Sequence, residues 1–406
     1  MDTRTSFRIY FLATAMLLSF PIVQNSEGLE LGEHTVKLST QALVMGRDFG
    51  NDNQGSSGSV SATVDFGWRP AERLELDGQF VQVNQIYQEG RADAAYWLSN
   101  DDETVLNGLS LKYDFSSEMD RSSVLKLGRI LDHYDFFPSY KNARHKVQAF
   151  EGGVWKTDLA EGLSLDVGHI ERYSSWSSRE GGPSPVNGDF ITLSKRLGRS
   201  GGDSGVQFLS SDYQAGKYSL TAYDYYAKDL YNNFGFKVSR VLSPDNAKGQ
   251  WSARFRYDRQ DGDSGGFLAG HEAEVIEATV GFKKDSYFWN AGWTHVGSSA
   301  SYLAPFRTSH EIDMSFMWYT NQYEVGTDSF HWKGVYKKKG WVFYGLLIHA
   351  DHVNRDESEA NLVIRRVLEN NVWFALFGGY GQRNFDDAVI EDGWGRDLRF
   401  YAGCSF

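Results

Sequence analysis

A two-residue rhythm that recurs along almost the whole chain constrains its fold more than any other feature. Apolar side chains take alternate positions for about 9–11 residues at a time, a turn cluster follows, and the pattern restarts. Val60, Ala62, Val64, Phe66 and Trp68 share one face of such a segment, while Ser59, Ser61, Thr63, Asp65 and Gly67 share the other. Trp251, Ala253, Phe255 and Tyr257 alternate with Ser252, Arg254, Arg256 and Asp258, and Leu398, Phe400, Ala402, Cys404 and Phe406 with Asp397, Arg399, Tyr401, Gly403 and Ser405. Successive side chains of a strand point to opposite sides, so each segment is a ribbon with one oily and one polar face. A soluble sheet would bury the oily face against a second sheet. A membrane barrel would show it to hydrocarbon and turn the polar face to water. Full charges in mid-strand, such as Arg254 and Arg256, favour the barrel, because a packed interior accepts unpaired charges only at high cost. Aromatics near segment ends (Trp68, Trp155, Trp251, Tyr287, Trp341, Trp373) read as interface girdles.

Composition agrees. Across 406 residues there are 42 Gly, 12 Trp, 22 Tyr and 27 Phe, but only 7 Pro, which suits many short strands with tight turns and leaves little material for linkers. Arg4 and Arg8 accompany an apolar stretch, Ile9 to Val23, that reads as a secretory signal too short to span a membrane as a helix. The expected division is residues 1–27 as signal peptide, cut within Val23–Gly28, and residues 28–406 as one barrel domain. No later apolar run is long enough for a membrane helix. Cys404 is the only cysteine, which excludes an intramolecular disulfide and a lipoprotein anchor near the cut. A net charge of −12 argues against nucleic acid as a partner.

Short and long connections alternate. Arg69–Glu72, Ala215–Lys217, Lys284–Ser286 and Lys338–Gly340 are short, whereas Gln85–Glu103, Leu131–Gln148, Tyr173–Ser204 and Gly297–Asp328 are long. That asymmetry is the one expected of periplasmic turns and outer loops. About 20 segments alternate. Gly188–Leu197 and Ile312–Thr320 break the short–long rhythm and are assigned to outer loops, leaving an all-β, transmembrane antiparallel barrel of about 18 strands.

The order of pieces resembles the OprD family of substrate-specific outer-membrane porins, which includes chitoporins. Lys126-Leu127-Gly128 closes a strand and opens a long loop that ends in Asn142-Ala143-Arg144, and the next strand opens on Phe150-Glu151-Gly152. Asp212-Tyr213, then the run Tyr218–Tyr231, and then Arg256-Tyr257 leading into the acidic loop Asp258–Gly266 continue the likeness over roughly the middle third. The chain departs from the family where Arg144-His145-Lys146-Val147 replaces the usual Arg-Leu-Leu-Pro, and it is short for the family. The resemblance implies residence in the bacterial outer membrane and passive, substrate-selective uptake of small hydrophilic solutes such as amino acids, small carboxylates or short oligosaccharides, with no cofactor. It further implies that the third outer loop, about Leu131–Gln148, folds into the lumen as a constriction contributing Asp132, Tyr134, Asp135, Lys141 and Arg144. A basic ladder is implied opposite it.

Parity places Lys237, Arg254, Arg256, Lys333, Arg365 and Arg399 on the polar face as candidates for that ladder. Arg129 joins them only if a bulge reverses the alternation set by Leu125 and Leu127. Cations facing Asp132 and Asp135 across a narrow pore would give a transverse field and bidentate contacts for carboxylates. The plainer alternative is solvated lumen charges paired with Asp and Glu across strands. Trp97, Trp176 and Trp394 are candidates for stacking on sugars, against ordinary loop packing. Lys337-Lys338-Lys339 is a candidate for lipid phosphates, against simple exposure in a turn. His349 and His352 fall on opposite strand faces and make a poor metal pair. Phe406 is the expected recognition signal for the barrel-assembly machinery. Lipid bilayer and lipopolysaccharide are the expected surroundings, and a monomer or a loose trimer fits equally. The competing classes are a barrel enzyme of lipase or protease type, a plugged adhesin or secretion barrel, and a soluble carbohydrate-binding sandwich. No G-x-S-x-G, H-E-x-x-H or P-loop motif supports catalysis.

Overall fold

The computed structural model describes residues 34–50, 53–90, 102–134, 137, 145–174, 190–198, 205–243, 249–305, 323–386 and 393–406. Strands β1 (His34–Asp48), β2 (Gln54–Ala71), β3 (Leu74–Gly90), β4 (Glu103–Asp114), β5 (Ser123–Ile130), β6 (Ala149–Ala160), β7 (Leu163–Ser174), β8 (Val206–Ala215) and β9 (Tyr218–Ala227) form the first half. Strands β10 (Tyr231–Ser243), β11 (Gln250–Gly262), β12 (Glu272–Lys284), β13 (Tyr287–Val296), β14 (Asp328–Lys338), β15 (Trp341–His352), β16 (Arg355–Val367), β17 (Trp373–Phe385) and β18 (Gly393–Ser405) form the second. Two short helices, α1 (Ser116–Met119) and α2 (Leu193–Arg196), lie in connections. Each strand pairs antiparallel with the next, and β1 pairs with both β2 and β18, so the sheet closes on itself. Closure removes the free edges that would otherwise leave backbone donors and acceptors without partners in lipid. Among the described residues no helix is long and apolar enough to cross a membrane.

Exposure shows which way the ribbons face. On β18, Leu398 is 52% exposed while Arg399 beside it is 4% exposed. A soluble sheet would reverse those values. On β11, Trp251 and Phe255 are exposed whereas Arg256, Asp258 and Gln260 are buried. The apolar belt therefore faces outward and the charged residues line the inside, as in a membrane-spanning barrel. Short hairpin turns gather at one end. Lys339 and Gly340 both take positive φ there, as expected of a two-residue type I′ turn. The longer connections gather at the other end, although two of them, 228–230 and 353–354, are as short as turns. Within the segment assigned from sequence to an outer loop, residues 190–197 hold α2 and a single bridge from Ile191 to Tyr173, with no spanning strand. Ile312–Thr320 lies outside the described residues.

One aromatic assignment is corrected. Trp68, Trp155, Trp251, Tyr287 and Trp341 are exposed on the outer face as girdle residues. Trp373 turns inward. It shares the parity of Ala375 and Phe377, packs against a buried cluster of Leu43, Met45, Ala375 and Tyr401, and borders a cavity with Lys37, Asp65 and Gln79. Position near a strand end says nothing about face, which parity alone decides.

Candidate functional site

The loop after β5 enters the barrel because its first residues are apolar on the side that meets the wall. Tyr134 and Phe137 are 4% and 0% exposed. Phe137 lies 5.2 Å from the ring of Phe150, 5.6 Å from Tyr225 and 6.1 Å from Phe208, and Tyr134 lies 5.2 Å from Phe208. Phe208 and Tyr225 are inward-facing residues of β8 and β9, so the loop docks on the lumen side of that wall. Such ring pairs add about 0.5–1.5 kcal/mol each beyond the area they bury. The far end of the loop is held by side chains of β2, β4 and β7. His145 sits between two serines of β2, with Nε2 2.7 Å from Ser59 Oγ and Nδ1 2.7 Å from Ser61 Oγ. Lys146 reaches Glu103 at 3.1 Å and donates to Ser174 Oγ at 2.9 Å, both groups buried. The amide of Asn107 donates to the Val147 carbonyl at 3.2 Å. The described ends of this loop are therefore tied to different strands on the inner face, β8 and β9 at the first and β2, β4 and β7 at the second.

Beneath its first limb lies a cavity of about 280 Å³ lined by His133, Tyr134, Asp166, Ser210, Asp212, Tyr225, Lys237, Arg254 and Arg256. Three predicted ladder residues thus meet at one place. Lys237 and Arg256 are cross-strand partners, and Arg254 follows Arg256 on the same face of β11. Their environments differ. Arg256 is clamped: its Nε donates to Asp258 Oδ2 at 2.7 Å, the Tyr223 hydroxyl donates to Asp258 Oδ1 at 2.7 Å, and the side chains of Arg256 and Asp258 are 2% and 0% exposed. Arg254 contacts Glu277 at 2.9 Å yet keeps 29% of its side chain open to the lumen. Asp166 and Asp212 face these cations from β7 and β8, with Asp166 3.1 Å from Lys156.

Of the carboxylates that sequence placed opposite the ladder, Asp132 lies apart from Lys237, Arg254 and Arg256, and Asp135 is outside the described residues. Asp132 is held by Lys126 at 2.7 Å and lines a separate cavity of about 480 Å³ with Lys37, Asp65, Asp77 and Arg129. Asp135, Lys141 and Arg144 lie outside the described residues, as do Trp97 and Trp176. Tyr134 packs on Phe208 of β8 and borders the same cavity as Lys237, Arg254 and Arg256. Its burial, reinforced by the nearby charge of Asp132, holds its phenol well above the ordinary range and therefore neutral.

Arg129 reaches the cavity without the expected bulge. Pairing runs unshifted through this point, from Leu109–Arg129 to Asp114–Val124. Gly128 instead takes φ +119°, and a Cβ there would come within 2.3 Å of the Leu109 carbonyl. From this glycine-specific turn the guanidinium donates to the Leu106 carbonyl and lies 4.3 Å over the ring of Phe190.

The remaining ladder candidates are spread round the barrel. Lys333 on β14 is buried, 5.8 Å from the Phe288 ring. Arg365 on β16 stacks over Trp373 at 5.0 Å. Arg399 on β18 is bound to Asp397 at 2.6 Å, and Arg47 of β1 binds the same carboxylate at 2.7 Å. His349 and His352 do point apart, the first exposed and bonded to Ser358, the second buried between Thr327 and Glu357. Trp394 lies 4.8 Å below the guanidinium of Arg396.

Sequence reasoning missed Asp166, Asp212, Asp258, Glu277 and the His145 anchor. Asp258 was legible, because residues i and i+2 of a strand share a face and Arg256-Tyr257-Asp258 is therefore a same-face ion pair.

Eighteen antiparallel strands thus close into a barrel with an apolar outer face, and a loop docks on its inner aromatics beside a basic cluster. No family model and no curated protein matches the sequence. Solved structures do match the fold. OccK9 (OpdG) of Pseudomonas aeruginosa superposes with a TM-score of 0.75 at 16% identity, covering 94% of this chain and 100% of that one. OccK2 (OpdF) of the same organism, in a complex with glucuronate, gives 0.71 at 13% identity over 94% and 100%. OccAB4 of Acinetobacter baumannii gives 0.71 at 16% over 92% and 98%. The barrel thus has the fold of these porins over nearly its whole length, in agreement with the resemblance carried by its middle third.

Proposed function

We propose that the protein is an outer-membrane porin of the OprD type that passively admits small, water-soluble, anionic solutes, with residues 1–27 as its export signal. The observation that carries this reading is the juxtaposition of Lys237 and the partly open Arg254 with the inward-docked loop around one cavity of about 280 Å³. A carboxylate in that cavity meets a guanidinium able to give two parallel hydrogen bonds and an ammonium beside it, while Asp166 and Asp212 on the neighbouring strands favour solutes that also carry an amine. The carboxylates keep the local field from holding an anion too tightly, which passage requires. Glucuronate in OccK2 is a solute of this chemical class in a barrel of the same fold. Uptake by this route draws only on the solute gradient.

The test is single-channel recording in planar bilayers with small carboxylates, amino acids and neutral sugars as permeants and blockers. The full-length protein should prefer anions, and Lys237→Gln combined with Arg254→Gln should remove that preference. Ion selectivity unchanged by the double variant, in a channel that still conducts, would overturn the assignment of the site. Hydrolytic release of product from lipid or peptide by the purified protein would instead favour an enzyme.

A further inference from the structure

The rim that carries the short turns has two unlike halves. On each of β10, β12, β14 and β16, an outward-facing position near the turn holds a cation: Arg240, Lys284, Lys338 and Arg366. Their outward direction follows from parity with exposed apolar residues of the same strands, such as Val238, Val280, Trp332 and Leu362. Every one of these cations is the cross-strand partner of an aromatic on the same face. Arg240 pairs with Tyr218, Lys284 with Tyr287, Lys338 with Trp341, and Arg366 with the other side of the same Trp341. Tyr218, Tyr287 and Trp341 are exposed girdle residues. Two of the contacts are cation–π stacks, Arg240 over Tyr218 at 5.0 Å and Arg366 over Trp341 at 5.1 Å.

The corresponding outer positions of β2, β4, β6 and β8 hold no such cation. They carry Trp68, Leu111, Leu159 and Tyr213. The turns on that side present Glu72, Glu118, Asp120, Asp158 and Glu161; of the cations there, Arg69 and Arg73 are engaged by Glu75 and Glu118, Arg121 donates to the Leu159 carbonyl, and Lys217 sits in the β8–β9 turn itself and not on an outward strand position. On the basic side, Asp285 and Glu369 are the carboxylates among the described turn residues. In a chain of net charge −12, outward-facing strand cations each paired with a girdle aromatic, found on one half of this rim at the depth where those aromatics mark the membrane interface, need a local reason.

We propose that this arc is a binding site for phospholipids with anionic headgroups, centred on Lys338, Trp341 and Arg366. The two cations flank the indole across adjacent strands, so they stand about 10 Å apart. The indole lies against the glycerol and upper acyl chain of the lipid, and the cations receive the phosphate. Arg366 donates one N–H to the Lys339 carbonyl across the turn, which fixes its guanidinium while leaving other donors for a phosphate. Lys284 beside Tyr287 and Arg240 beside Tyr218 extend the same arrangement along the arc. The consequence is an asymmetric lipid shell, rich in anionic lipid on the β10–β16 side and neutral on the β2–β8 side. This proposal rests on the membrane-spanning reading of the outer face and is independent of what the lumen transports.

The experiment uses the full-length barrel released from detergent into native mass spectrometry after equilibration with equal phosphatidylglycerol and phosphatidylethanolamine. Wild type should retain phosphatidylglycerol preferentially. Lys338→Gln with Arg366→Gln should lower that preference by about fivefold for each charge removed. The control is Lys283→Gln with Lys337→Gln, which removes the same charge from inward-parity neighbours and should leave the preference as in wild type. Folding of each variant is checked by heat-modifiable migration, and Lys338→Arg, which keeps the charge, should bind as wild type does. Equal loss in both double variants would mean that net charge alone sets the effect and would overturn the proposal. So would an unchanged lipid preference in the outward variant, including the case in which that variant instead loses co-sedimentation with isolated peptidoglycan.

Discussion

Two stretches of the inner wall contain the same kinds of residue and use them differently. On β9–β11, Lys237 and Arg254 border a cavity and Arg254 keeps contact with water. On β16–β18 and β1, the charges are closed on themselves. Asp397 is shared by Arg47 and Arg399, and Glu357 is shared by Arg355, Arg383 and His352, with both carboxylates almost fully buried. Apolar side chains (Leu43, Met45, Ala375, Tyr401) fill the space beside them. The contrast teaches that an inward-facing arginine is not by itself part of a pathway. A guanidinium that has lost its water must be matched by a carboxylate, and once matched it serves as structure. One that keeps part of its hydration can exchange a water for a solute.

The largest expected effect is on the closed side. Asp397→Asn removes the anion that two buried guanidinium groups share, and breaking a buried charge set in this way costs about 3–5 kcal/mol. Thermal unfolding followed by heat-modifiable migration should show a strong loss of stability. Arg254→Gln, on the open side, should leave the same transition near its wild-type position. Equal destabilisation by both would erase the distinction between the walls.

Next comes the dock that brings the loop to the open wall. Phe137→Ala empties a fully buried ring site among Phe150, Phe208 and Tyr225, a change that costs about 3–5 kcal/mol in a packed core. Here the cost falls on loop docking. Conductance should rise and discrimination among solutes should fall, with little movement of barrel unfolding. A wild-type conductance in this variant would mean that the His145 end alone holds the constriction.

Within the open wall the comparison can be sharpened between adjacent residues. Arg254→Gln should weaken block by small carboxylates by about tenfold, the scale of a lost charge-assisted hydrogen bond. Arg256→Gln should act mainly on stability, because its partner Asp258 is then left buried with only hydroxyl donors such as Tyr223. Raising ionic strength should weaken solute block in wild type by screening. Block that is independent of salt would argue against an electrostatic site.

The sequence made the strands, their number and the direction of each ladder residue on a regular strand legible, because period two fixes faces without reference to neighbours. What stands across from a residue depends on register and on which strands close the barrel, and alternation carries neither. Hence Asp166 and Asp212 were not found, and Asp132 shares a cavity with Arg129 and not with Lys237, Arg254 and Arg256. The closed pairs Arg256–Asp258, Arg355–Glu357 and Asp397–Arg399 were in principle readable, since all are i,i+2 pairs of opposite charge. Arg129 was ambiguous for a different reason: a glycine at φ +119° redirects the chain without inserting a residue, so parity counting alone does not register it. Trp373 shows the complementary error, where composition suggested an interface and parity already pointed inward.

The smallest expected effect concerns the seam between loop and open wall. Tyr134 is buried against Phe208, and burial beside Asp132 raises its phenol above the usual value of about 10. In the undocked loop the phenol titrates near that usual value. The docked form therefore binds the proton more tightly, so docking is at full strength below about pH 10 and weakens as pH rises beyond it. Conductance of the wild-type channel should be flat through neutral pH and climb at the alkaline end. Tyr134→Phe keeps the ring that packs on Phe208 and removes the titrating group, so it should abolish the climb while changing docking at neutral pH by less than about 1 kcal/mol. If the alkaline rise persists in Tyr134→Phe, the loop is released by some other group, and the contact between Tyr134 and the basic wall does not govern the constriction.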